Sequence, residues 1–130
     1  MGFFDFFKKK KKVDAHEGLR QMIQKAAGVF EGEPVGDVMP GAFGPYGLAT
    51  SNPIPVAGVP VSYEYLSRLR LPNGEKVKYQ RLGSFGSEIT REIIDGYQIY
   101  DQAGNEIAVV YICPYMNAHP SKAPEGFIIA

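Results

Sequence analysis

Cysteine is nearly absent: Cys113 is the one such residue in 130. A disulfide framework within the chain is therefore excluded, which fits a reducing compartment. Histidine is almost as scarce, with His16 and His119 alone, and no paired-histidine spacing exists to build a zinc site. No metal and no cofactor are expected. Cys113 and His119 form the one thiol–imidazole pair close in sequence, but a cysteine closing an apolar strand is ordinarily structural. Glu92, Asp95 and Asp101 stand near turns, where carboxylates are common surface chemistry. The run Gly41–Gly47, GAFGPYG, lacks the lysine and the helix start that a phosphate loop requires. Catalysis thus has no constellation to stand on, and an enzyme is not expected.

Long apolar runs are missing too. The longest, Ile107–Cys113, is far too short to span a bilayer. A secretory signal places its charges before its apolar run, whereas Phe3–Phe7 precedes the lysines here. The net charge is zero, yet the two signs are segregated. Residues 1–12 hold five lysines and one aspartate, while the other 118 hold nine basic and thirteen acidic side chains. A mildly acidic body therefore carries a basic, aromatic tail.

In that tail, Phe3, Phe4, Phe6 and Phe7 precede Lys8, Lys9, Lys10, Lys11 and Lys12. The pattern suits peripheral attachment to an anionic membrane, each lysine contributing about 1 kcal/mol. A frayed terminus is the competing reading. Phe6 stands where N-myristoylation wants serine or threonine. Nucleic acid is not expected, because no second basic cluster of that density follows. The organisation expected is a tail over 1–12 and a single domain over 13–130.

Asp14-Ala15-His16-Glu17 has the spacing of a capping box, and Leu19, Met22, Ile23, Ala26, Ala27 and Phe30 recur at helical intervals behind it. An amphipathic helix over Ala15–Val29 follows. From Glu31 to Pro60, twelve of thirty residues are glycine or proline, which excludes a long helix or a central strand. Yet Val38–Tyr63 contains no charged side chain, so this long apolar loop should be ordered and pressed against the domain. Phe43, Tyr46 and Ile54 are its candidate binding residues, and a strap covering a sheet is the equal alternative.

Val61–Leu82 alternates apolar residues at Tyr63, Tyr65, Leu69 and Leu71, then turns at Pro72-Asn73-Gly74. This reads as a hairpin closed by a three-residue loop with Gly74 in the left-handed region. The register sets Leu69 opposite Val77 and Ser67 opposite Tyr79. It also sets Arg70 opposite Lys76 and Arg68 opposite Lys78, four cations on one face; solvation, or balance by Glu88 or Glu92 from a neighbouring element, is the favoured reading, and an acidic partner or phosphates the alternative. A second hairpin joins Gly96–Tyr100 to Glu106–Cys113 around Gly104, with Ile99 facing Ile107 and Tyr97 facing Val109. The second strand is apolar on both faces, so it should be central. Glu88–Asp95 fits one helical turn and strand alternation equally well, and Phe127–Ile129 should dock a last short strand.

The pieces Asn52-Pro53-Ile54-Pro55-Val56, Tyr65-Leu66-Ser67-Arg68-Leu69-Arg70, Arg81-Leu82-Gly83-Ser84 and Ala123-Pro124-Glu125-Gly126-Phe127 resemble a group of small uncharacterised bacterial proteins. The resemblance covers about residues 43–128 and implies a bacterial, intracellular setting; it brings no site residues. The fold expected is α+β: an antiparallel sheet of about four or five strands built from two hairpins, with the N-terminal helix packed on one face. The function expected is a non-catalytic interaction module with a protein partner, immunity-type inhibitors included, in the cytoplasm or at the inner membrane face. The competing class is a small-ligand binder or enzyme with a pocket between the Gly/Pro-rich loop and the sheet.

Overall fold

A computed structural model describes residues 33–130, so the tail over 1–12 and the helix expected over Ala15–Val29 lie outside the described residues. Those residues form a mixed α+β fold with one helix, a four-stranded sheet and a second sheet of two strands. The larger sheet contains β1 (Ile54–Pro55), β3 (Lys78–Phe85), β4 (Ile94–Tyr100) and β5 (Glu106–Cys113), in the order β1-β5-β4-β3. The smaller one pairs β2 (Leu69–Arg70) with β6 (Ile128–Ile129). β4 runs antiparallel to both of its neighbours, β3 and β5, while β1 adds a short parallel strand beside β5. The terminal strand expected from Phe127–Ile129 is β6.

The first hairpin is overturned over most of its length. Its leading half is a helix, α1 (Val59–Arg68). Gly58 (φ 109) stands at its N-cap and Pro60 falls in the first turn, where a missing N–H costs nothing. Ser62, Tyr65 and Leu66 are buried, and Leu69 follows on the same side. That i, i+3, i+4, i+7 spacing outweighs the period-two alternation, which Ser67 had already interrupted. Arg68 lies in the last turn, where its charge suits the carbonyl end.

The turn itself survives. Gly74 has φ +87 and donates its N–H to the Leu71 carbonyl at 2.8 Å, and Leu71 and Glu75 flank the three-residue loop. Arg70 bridges to Lys76 as expected, but the register extends no further. Leu69 pairs with Ile129, Tyr79 with Ile99 and Lys78 with Tyr100. The physical reason is that the chain before Leu69 is already coiled, so β3 takes β4 as its neighbour instead.

The second hairpin is observed, with Gly104 at φ +90, but its register shifts by one residue. Tyr100 opposes Glu106 in the expected frame, after which a bulge sets Ile99 against Ala108 and Tyr97 against Val110. The bulge leaves Ile107 outside the sequence of pairs, 42% exposed.

β5 is central in the sheet and presents apolar residues to both sides. Val110 and Ile112, with Tyr97 and Ile99 of β4, join Tyr46, Ile54, Val56, Tyr65, Leu66, Leu69 and Phe127 in the main core. On the opposite face Cys113 and Ile94 pack with Met39, and Phe85, Ile89, Tyr111 and Met116 close around them. Two cores on one sheet follow from alternation along the strands. The segment before β1 is built into this body: Tyr111 donates its N–H to the Gly47 carbonyl at 2.8 Å, and Asn52 Nδ2 donates to the Gly44 carbonyl at 2.8 Å. Among the described residues, no helix is long and apolar enough to cross a membrane.

Candidate functional site

β3 is the exposed edge of the larger sheet, and its residues Lys78–Leu82 are open to solvent. Tyr79 and Arg81 project from one side of it, opposite Ile99 and Tyr97 of β4. A second bulge between Arg81 and Gly83 leaves Leu82 unpaired in the register and 52% exposed. Over the same side stands α1, whose half-exposed Tyr63 reaches the strand.

The three tyrosines meet. Tyr63 and Tyr79 stack with ring centroids 6.3 Å apart and planes 19° from parallel. Tyr97 lies beneath, edge-on to both at 6.5 and 6.0 Å. Tyr97 is buried, whereas Tyr63 and Tyr79 are 44% and 38% exposed. Burial pushes the Tyr97 hydroxyl well above the usual tyrosine range, with the Asp95 charge adding to the shift. Its oxygen has no hydrogen-bond partner among the described residues. This ring is therefore a neutral apolar floor under an exposed stacked pair.

The margin of the surface is charged. Arg81 donates one guanidinium nitrogen to Asp95 Oδ1 at 2.9 Å and to Ser84 Oγ at 2.8 Å. Asp95 is buried, so this bond supplies the counter-charge that makes its burial tolerable. Lys78 donates to the Gln102 carbonyl at 3.3 Å, which ties the start of β3 to the β4–β5 turn.

The residues nominated by sequence fall in different places. Phe43 stands at a loop tip, 60% exposed, held by its own N–H to the Ser51 carbonyl and by Ser51 Oγ to its carbonyl. Tyr46 and Ile54 come together inside the main core rather than beside Phe43. Burial pushes the Tyr46 hydroxyl up, and Lys122 Nζ sits 4.9 Å from the centre of its ring. Arg70 and Lys76 are brought opposite each other. Arg68 is not part of that group: it donates from the end of α1 to the Ala130 carbonyl at 3.1 Å. The four-cation strand face is thus reduced to one bridged pair, because α1 carries Arg68 away from Lys78.

Cys113 is buried in the second core, and no group of three or more histidine, cysteine or carboxylate side chains converges among the described residues. Sequence reasoning missed Tyr63 and Tyr79 as surface residues because a strand reading turned both inward. The helical spacing of Ser62, Tyr65, Leu66 and Leu69 carried the signal that Tyr63 faces out. Three of the four sequence pieces quoted above, 52–56, 65–70 and 123–127, meet in the main core. Ile54 and Pro124 both lie against Gly47, Tyr65 donates to the Lys122 carbonyl at 2.7 Å, and Leu69 pairs with Ile129. No protein-family model, curated protein or solved structure matches the chain.

Proposed function

We propose that this domain is a non-catalytic interaction module and that a protein partner meets it at Tyr63, Tyr79 and Leu82. The carrying observation is the exposed Tyr63–Tyr79 stack, the one exposed pair of rings in contact among the described residues. Single exposed apolar residues need no explanation, but a rigid pair on an apolar floor presents area at little entropic cost. Tyrosine and arginine are also the side chains that most often dominate binding energy at interfaces. The setting this reading implies is a bacterial cytoplasm, where a lone cysteine stays reduced. The Phe/Lys tail would supply attraction to the inner membrane face.

Affinity capture from native lysate tests the reading, using the wild-type chain, Tyr63→Ser/Tyr79→Ser and the control Phe43→Ser. The expected outcome is a partner retained by the control and lost by the double variant, with circular dichroism unchanged. Equal recovery by all three chains would count against it.

A further inference from the structure

The edge beside the tyrosine pair has its own chemistry. β3 pairs with β4 on one side, and no strand pairs with its outer side among the described residues. Alternate backbone N–H and C=O groups of such an edge point outward and can template another strand. The strand itself, Lys78–Phe85, includes Lys78 and Arg81 and no acidic side chain, and Lys76 stands just before it, where its backbone is bridged to Arg70. Arg81 is neutralised by Asp95, whereas neither lysine pairs with a carboxylate among the described residues.

The two sides of the edge differ in kind. Lys78 and Gln80 alternate with Tyr79 and Arg81, so cations and amides line one face and the tyrosine stack lines the other. We propose that the ligand of this edge is an extended acidic segment of a partner protein, added as a further strand of the sheet. Its apolar side chains alternate with carboxylates: the apolar set rests on Tyr63 and Tyr79, and the carboxylates face Lys76 and Lys78. Charge decides the occupant. A second copy of β3 would bring cations against cations, and the chain's own Lys8–Lys12 tail carries the same sign. The proposal rests on the interaction-module reading and adds its mode and its chemistry.

The test is selection of linear ten-residue peptides from a random display library on the immobilised full chain. Selected peptides should alternate Asp or Glu with Val, Ile or aromatic residues. Synthetic versions should bind Lys76→Glu/Lys78→Glu at least tenfold more weakly than wild type. N-methylation of alternate peptide amides along one edge should abolish binding, while methylation along the other edge should leave it intact, because only one edge meets β3.

Recovery of no peptide, of basic peptides, or of peptides indifferent to N-methylation would overturn strand addition. So would self-association shown by concentration-dependent shifts of the Lys78–Leu82 amide signals. If these results came with a lysate partner that still required Tyr63 and Tyr79, strand addition would fall and the interaction reading would stand. Loss of both outcomes would remove both.

Discussion

Gly47 and Gly74 are both left-handed, at φ +72 and +87, but their surroundings differ. A Cβ at Gly74 would meet nothing within 4 Å, whereas one at Gly47 would lie 2.8 Å from Ile54 Cδ1 and 3.0 Å from Pro124 Cγ. Gly74→Ala should therefore cost only the backbone term, about 1 kcal/mol. Gly47→Ala should cost about 2–4 kcal/mol, since overpacking adds to the same term. Urea unfolding of the two variants measures the difference, and equal losses would contradict the placement of Gly47 in the core. Gly74 was legible in the sequence because a Pro-Asn-Gly turn is a local signal. Gly47 was not, because its constraint comes from residues far away in the chain.

Among the elements, α1 and the β4–β5 bulge show where pattern reading lost its grip. Tyr63, Tyr65, Leu69 and Leu71 satisfied a period of two, while Ser62, Tyr65, Leu66 and Leu69 satisfied 3.6 with a buried serine that hydropathy undervalues. The serine is buried all the same. In the second hairpin, strand limits and the Gly104 turn were readable, but a single extra residue was not. That bulge has a sharp consequence. Ile107→Asp should change stability by less than about 1 kcal/mol, as an exposed substitution does. Ile112→Asp should unfold the domain, since Ile112 is fully buried opposite Asp95 and would place two carboxylates together. Thermal melts of the two variants check this, and a severe loss for Ile107→Asp would restore the unbulged register.

At the scale of the whole molecule, the α+β class and the antiparallel strands were visible in the sequence, because alternation and turn chemistry are written locally. The parallel strand β1, the exposed edge and the tyrosine surface depend on which elements become neighbours, and no short-range pattern encodes that. Tyr46, Tyr65 and Tyr97 also give the fold a shared pH response, because burial holds each hydroxyl above the ordinary value of 10.0. Their contribution is fully present below pH 10. Above it the unfolded chain releases protons that the folded chain keeps, and stability falls. The slope should approach about 1.4 kcal/mol per pH unit for each tyrosine. Urea unfolding at intervals from pH 8 to 11.5 reads that slope, and a flat profile would contradict the burial of these groups.

The partner surface is tested most directly by a photo-crosslinking amino acid, p-benzoylphenylalanine, placed in turn at positions 79, 43 and 128 of the full chain in living cells. All three side chains are exposed, but only position 79 belongs to the tyrosine pair. The account predicts a discrete protein adduct from position 79 and none from the other two. Adducts from 43 or 128 with none from 79 would contradict it.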